Sequence, residues 1–233
     1  MKFAIVIPAR MASKRLPNKP LIEIAGKPLI SWVIDIALKV DFKPEIIVAT
    51  DDNKIKNFTE DLGIKTYLTS KVINNGTERI LEIIDQIEAD FILNLQGDEP
   101  LVNPVDLNNL FEHIQSRNDD IASICHEIED IEADDPSNVK VVLDIQKYAL
   151  YFSRSKIPYG SKTFFCHKGI YAFKKSALLK IKDFKSNLLG DSEDLEQLKW
   201  LENKMKISML ISKNKSIGVD TQEDLLKAEN TLM

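Results

Sequence analysis

Arg10, Arg15 and Lys19, with Lys14 among them, crowd into one segment that Pro17 and Pro20 stiffen. Arginine offers a planar fork for paired phosphate oxygens and lysine a point charge, so cations on one loop suit a polyphosphate too densely charged for a single side chain. The same cations also fit an ordinary charged connector. Their place directly after the first apolar run, "FAIVI", favours anion binding. The segment is neither a Walker loop nor a dinucleotide fingerprint, because G-x-x-x-x-G-K-[ST] and G-x-G-x-x-G are both absent.

Two aspartates complement these cations. Asp98 lies in "NLQGDEPL", where Gly97 permits an unusual backbone angle and Pro100 fixes the next turn, presenting the carboxylate at a strand end. Asp220 is the second residue of "VDTQED" and, with Glu223 three residues on, reads as a helix N-cap with its reciprocal partner, which alone accounts for both. Taken together, a basic loop and two strand-end carboxylates match Mg²⁺, which takes one or two protein carboxylates and completes its shell with phosphate oxygens and water. "NNGTER" (74–79) reads either as an Asn-Gly turn with a threonine cap or as recognition of a base or ribose through Asn75 and Thr77. His167 has no Ser or Cys nucleophile motif beside it, and the dipeptides Cys125-His126 and Cys166-His167 fit no standard zinc spacing.

These residues need a scaffold that brings distant loops together. The chain of 233 residues, 44% hydrophobic, is long enough for one globular domain with an added lobe. A net charge of -5 argues against a general nucleic-acid surface. The first apolar run, about five residues before Pro8 and Arg10, is too short for a signal segment or membrane span, which together with unpaired cysteine spacing points to the cytosol. "FAIVI", "EIIVAT" and "DFILNL" are apolar without alternation, as in parallel strands buried on both faces. Helical patterns separate them: one behind Pro28, one from near Asp51 to Gly63, one from about Thr77 to Ala89, and one opening at Asn103-Pro104. This order predicts an α/β fold whose ligands bind beyond the strand carboxyl ends. After about residue 120, "IASIC", "VKVVLD", "YALYFS" and "GIYAF" predict an added mixed or antiparallel β section. Helical patterns return at 192–203 and 222–231, with "KISMLI" and "SIGVD" between them. The acidic cluster at 119–135 and the lysines at 174–185 read as solvated segments.

The motifs "IPARMASKRLPNKPL", "ATDD", "NGTER", "LQGDEPL", "VKVVLD", "YALYFSRSKIPY", "HKGIYAF", "LEQL" and "GVDTQEDL" occur in an order and spacing that resemble the 3-deoxy-manno-octulosonate (Kdo) cytidylyltransferases over nearly the whole chain. The resemblance implies a Rossmann-like nucleotidyltransferase fold in one domain, with a sugar-binding and dimerisation section inserted at about 120–190. It implies a cytoplasmic homodimer that couples CTP to Kdo for lipopolysaccharide assembly, with Mg²⁺ as cofactor and neither nucleic acid nor membrane as partner. Carried over by motif, Arg10, Arg15 and Lys19 form the triphosphate grip, with Pro8 and Ala9 supplying nearby backbone. Asn75, Gly76, Thr77 and Arg79 belong to the cytidine pocket, and Asp98 and Asp220 to the magnesium site. Gln96, Arg154, His167, Tyr171, Glu196 and Gln197 face the sugar acid. The chain departs from the family pattern at Asn18 and Asn75, where asparagine tolerates a left-handed backbone, and at Cys166, Lys168 and Gly190. The last three gather on the sugar side and leave 8-amino-Kdo or another acidic sugar, such as sialic acid, as alternative acceptors. The rival outside catalysis is a nucleotide-binding regulatory domain.

Overall fold

Parallel strands set the ends of distant sequence segments side by side. The computed structural model describes residues 1–12, 15–73, 75–184, 188–215 and 218–233. Lys14, Asn74, Lys185 and the first two residues of "SIGVD" lie outside them. In chain order the elements are β1 (Phe3–Ala9), β2 (Glu23–Ile24), β3 (Lys27–Pro28), α1 (Leu29–Leu38), β4 (Glu45–Thr50), α2 (Asn53–Asp61), β5 (Lys65–Leu68), α3 (Gly76–Glu82), β6 (Phe91–Asn94), α4 (Pro104–Arg117), β7 (Ile121–Ile128), α5 (Asp130–Ala133), β8 (Lys140–Leu143), β9 (Ala149–Ser153), β10 (Phe164–Lys174), α6 (Lys175–Lys182), α7 (Leu188–Glu193), α8 (Glu196–Glu202), β11 (Ile207–Ser212) and α9 (Gln222–Leu232). They form two compact units, Met1–Asn108 with Ser216–Met233, and Asn109–Lys215. Among the described residues no helix is long and apolar enough to cross a membrane.

In the first unit the strands run in the order β6-β1-β4-β5, all parallel. Ala4, Ile5, Val6 and Ile7 are fully buried, which explains why β1 lacks polar alternation. The register pairs Ala9 with Thr50 and Val6 with Asn94, so the residues that follow β1, β4 and β6 leave the sheet at one edge. A second apolar cluster joins Leu16, Ile24, Leu29, Val219, Leu225 and Ala228. It anchors the basic loop through Leu16 and the Asp220 loop through Val219. Burying a leucine contributes about 1.5–3 kcal/mol, enough to hold a charged segment in place.

In the second unit β7 pairs in parallel with β11 and antiparallel with β10, whose pairing shifts between Lys168 and Tyr171. β8 continues from β10 and pairs antiparallel with β9. Phe152, Phe173 and Trp200 fill its interior.

Several boundaries differ from the sequence expectation. The helix expected from Thr77 to Ala89 ends at Glu82, where the Ile83 N–H bonds back to Ile80 and Leu81, and a 3₁₀ turn at Ile84–Gln86 follows. The pattern at 192–203 is interrupted at Asp194, whose φ of 53° no continuous helix accommodates, so α7 and α8 are separate. β5 carried no strong signal. The lysine-rich stretch read as solvated contains α6, which buries Ala177, Leu178 and Ile181 while its lysines lie on the other faces.

Candidate active site

Asn18 sits in the left-handed region at φ 58° and ψ 23°, a conformation asparagine adopts more readily than most residues. It turns the chain into the 3₁₀ turn Lys19–Leu21, closed by Leu21 N–H donating to Asn18 O at 2.9 Å. With Leu16 buried on one side and this turn on the other, Lys19 points at two carboxylates. Its Nζ donates to Asp98 Oδ2 at 2.5 Å and to Asp220 Oδ1 at 2.8 Å. Arg15 Nη2 lies 2.9 Å from Asp220 Oδ2. Asp98, Asp220, Arg15 and Lys19 are thus brought together from three loops, and the Val219 N–H donates to Asp98 O at 2.8 Å to tie two of those loops by backbone. Arg10 follows the end of β1 and is exposed.

Gly97 is required here by close approach. A Cβ at that position would stand 3.0 Å from Pro8 O, so the β1 backbone would have to give by a few tenths of an ångström. At Asp220 the sequence expectation needs correction. The cap of α9 is Thr221, with extended backbone, and its partner is Asp224 rather than Glu223. Thr221 Oγ1 accepts from Asp224 N at 3.2 Å, and Asp224 Oδ2 accepts from the Thr221 and Asp220 N–H groups at 2.9 and 3.2 Å. The helix end consumes neither oxygen of Asp220, so its carboxylate is available to cations.

Burial alone would lower the Lys19 pKa, but the charges and hydrogen bonds of Asp98 and Asp220 outweigh it and raise it above the usual lysine value. Burial likewise disfavours the charged form of Asp220, yet Lys19 and Arg15 hold its carboxyl below the usual range. The fit to a magnesium ion is tested by Lys19 itself, whose ammonium shows that one cation reaches an oxygen from each aspartate. Among the described residues no group of three or more His, Cys, Asp or Glu forms a closed cage. Mg²⁺ does not need one when phosphates and water complete its shell.

Beside this cluster lie Pro8, Gly76, Asn94 and Gln96. A Cβ on Gly76 would fall 2.9 Å from Gln96 Nε2, 3.1 Å from Pro8 Cγ and 3.2 Å from Asn94 Nδ2. Gln96 could yield, but Pro8 and the buried Asn94 have little room. Gly76→Ala is therefore expected to cost about 1–3 kcal/mol of stability and to raise KM for the sugar acid by displacing Gln96, as thermal melting and steady-state kinetics would show. An unchanged Tm and KM would mean that this contact relaxes freely. The alternative of a threonine cap at Thr77 is not what forms. Asn75, with extended backbone, caps α3 by accepting from Glu78 N at 2.8 Å. Thr77 Oγ1 and both polar side-chain atoms of Asn94 are buried without a hydrogen-bond partner among the described residues. Asn94 and Asp51 were missed in the sequence. The available signals were a polar residue ending the apolar run "FILN" and an aspartate directly after "EIIVAT". The Arg79 guanidinium is buried and directed at Thr69, Ser70, Ile73 and Asp51, and burial lowers its pKa despite Asp51.

Of the residues assigned to the sugar acid, Gln96 belongs to the first unit, and Arg154, His167, Tyr171, Glu196 and Gln197 to the second. Arg154 Nε donates to Glu193 O at 2.9 Å, and its Nη groups reach Pro136 O and Asp194 O. His167 packs against Phe152 and Tyr171, and Tyr171 against Trp200. Gln197 is buried, and burial together with Glu196 pushes the Tyr171 hydroxyl pKa well up. Lys168, one of the departures from the family pattern, is buried and spends its ammonium on Asn214 O at 2.6 Å. Cys125 and Cys166 form no disulfide among the described residues.

The protonation of His167 follows from its neighbour. Ser123 Oγ has one proton and faces Ile170 O at 2.7 Å, an atom that only accepts. His167 Nε2, 2.9 Å from the same Oγ, must then be the donor, which leaves Nδ1 as an acceptor. A neutral ring suits a substrate hydroxyl better than a carboxylate. Desolvation pushes its pKa down to about 3 from an ordinary 6.5. Between those values the unfolded chain binds a proton that the folded chain refuses, so stability is complete above about pH 6.5 and falls as pH drops below it. The expected loss is about 2–3 kcal/mol by pH 4, with the partly exposed ring counted at less than the full shift. Urea melts from pH 7.5 to 4 should show this slope and should show less of it in His167→Gln. An equal slope in both would place the titration elsewhere.

The chain matches the cytidylyltransferase family over residues 4–207. It is 42% identical to a 3-deoxy-manno-octulosonate cytidylyltransferase of Fusobacterium nucleatum subsp. nucleatum, over 99% of this chain and 96% of the relative. It is 40% identical to an 8-amino-3,8-dideoxy-manno-octulosonate cytidylyltransferase of Shewanella sp. (strain ANA-3), over 100% and 99%. A solved structure of CMP:2-keto-3-deoxy-manno-octonic acid synthetase complexed with CTP superposes with a TM-score of 0.95 at 37% identity, covering 100% of this chain and 98% of that one. The expected nucleotidyltransferase α/β fold is the one observed. With a family match across most of the chain and relatives of this identity along its full length, the chain belongs to the 3-deoxy-manno-octulosonate cytidylyltransferase family.

Proposed function

We propose that the protein joins CTP to 3-deoxy-D-manno-octulosonate, giving CMP-Kdo and pyrophosphate. The observation that carries this reading is the convergence of Lys19 and Arg15 on Asp98 and Asp220 at the strand carboxyl ends. Arg10, Arg15 and Lys19 would grip the triphosphate, and Gly76, Thr77, Pro8 and Ala9 would border the nucleoside. Asp98 and Asp220 would hold Mg²⁺, which when bound offsets phosphate charge and acidifies a coordinated hydroxyl. The remaining work is alignment of the anomeric hydroxyl for in-line attack on the α-phosphorus, with cations stabilising the departing pyrophosphate; little covalent protein chemistry is needed. A site built only for binding would gain nothing from setting two carboxylates beside a polyanion. Arg154, Glu196, Gln197, Tyr171 and a neutral His167 of the second unit would satisfy the hydroxyls and carboxylate of the sugar acid.

A second acceptor, 8-amino-Kdo, is favoured by a specific observation: the Shewanella relative named for it matches this chain nearly as well as the Kdo enzyme does. Pyrophosphate release from CTP and Mg²⁺ with a panel of Kdo, 8-amino-Kdo and sialic acid decides. Release with Kdo supports the first reading, and release with 8-amino-Kdo alone supports the second. No release with any acid would leave the regulatory domain. The family resemblance also supports a cytoplasmic homodimer serving lipopolysaccharide synthesis, and light scattering of the purified chain would test the dimer.

A further inference from the structure

We infer that Asp51, neutralised by Arg79, is a positioning residue that fixes the start of the phosphate-binding loop. The inference rests on reading that loop as the triphosphate grip. Because Ala9 and Thr50 are paired in register, Arg10 and Asp51 leave the sheet side by side. Asp51 Oδ1 accepts from the Met11 N–H at 3.1 Å, one residue beyond Arg10, so the carboxylate pins the backbone where β1 ends and the cationic segment begins. The Asp51 side chain is only 8% exposed and that of Arg79 only 3%, with Nη2 and Oδ2 3.6 Å apart.

Arg79 also joins the neighbouring loops. Its Nη1 donates to Thr69 Oγ1 and to Ser70 O at 3.4 Å, and its Nη2 to Ile73 O at 3.2 Å. Thr69 in turn donates to Thr50 O from its N–H at 2.7 Å and its hydroxyl at 3.0 Å. One guanidinium thereby connects the exits of β4 and β5 with the approach to α3 and, through Asp51, the exit of β1. The charges explain why a pair is needed. A lone carboxylate beside a polyphosphate site would repel the ligand, whereas a neutralised one can accept the Met11 N–H without opposing it. With these donors spent on protein oxygens, Arg79 acts through Asp51 rather than as a phosphate ligand.

The test uses the full chain and CTP with Mg²⁺, measured by calorimetry, alongside steady-state kinetics and melting. Asp51→Ala is expected to weaken CTP binding about tenfold, raising KM for CTP with kcat and the sugar-acid KM changed by less than about threefold. Asp51→Asn keeps an oxygen acceptor and should recover most of the loss. Wild-type CTP affinity in Asp51→Ala, or an Asn variant as weak as Ala, overturns the inference. Should Asp51→Ala not fold, Arg79→Met is compared with Asp51→Asn/Arg79→Met. Tighter CTP binding by the double variant supports neutralisation of the carboxylate, and equal binding overturns it. Failure of the wild-type chain to bind CTP would instead overturn the reading of the loop.

Discussion

Asp98→Ala and Asp220→Ala are each expected to lower kcat/KM for CTP by about 10²–10³-fold, with Tm falling by only about 2–4 °C. The two effects separate because each carboxylate has a partner that survives the loss of the other. Without Asp98, Lys19 Nζ keeps Asp220 at 2.8 Å, and without Asp220 it keeps Asp98 at 2.5 Å, so neither variant leaves a buried ammonium alone. Catalysis would have no such reserve under the proposed metal site, since Mg²⁺ held by Asp98 and Asp220 would lose one of its two protein carboxylates with either substitution. The Mg²⁺ concentration giving half-maximal rate should rise in both variants. Near-normal turnover at limiting Mg²⁺ in either would remove that aspartate from the metal site. A collapse of Tm would instead assign it to folding.

Much of the fold was legible because buried parallel strands have a plain signature. "EIIVAT" coincides with β4, and the apolar runs of β1 and β6 extend to within a few residues of the observed ends. What remained hidden depended on contacts between distant segments. Nothing in "VDTQED" distinguishes a cap at Asp220 from one at Thr221; the extended Thr221 backbone and the reach of Asp224 decide it, and that one-residue difference keeps the Asp220 carboxylate available. Arg79 stood in a motif that suggested a nucleoside pocket, but its surroundings are the carbonyls of a loop whose path no local pattern reveals. Leu16 is apolar between charged and turn residues, and only the cluster with Val219 and Leu225 shows that it anchors the loop. Local chemistry could nominate the cations and carboxylates, whereas their geometry came from packing.

Lys19→Met is expected to lower kcat/KM by about 10²–10³-fold and, unlike the aspartate variants, to change how the protein responds to Mg²⁺ alone. The Lys19 side chain is 12% exposed, and its ammonium is the cation that offsets the proximity of Asp98 and Asp220. Methionine keeps much of the stem's volume but leaves two carboxylates facing each other, so Tm at neutral pH should fall by about 2–6 °C. The pH dependence should also reverse locally. In the wild-type chain the depressed Asp220 pKa contributes stability above the ordinary carboxylate value, lost as pH falls through the folded one. In Lys19→Met, repulsion from Asp98 should raise the Asp220 pKa, so lowering the pH toward about 4 restores stability. Mg²⁺ without nucleotide should then raise the Tm of the variant more than that of the wild type, because the ion no longer competes with an ammonium already bound to both oxygens. Arg15 still reaches Asp220 Oδ2 at 2.9 Å and limits the effect without removing it. A Lys19→Met protein with wild-type Tm and an unchanged Mg²⁺ response would show that other contacts hold the two carboxylates together, and that Lys19 serves only the phosphates.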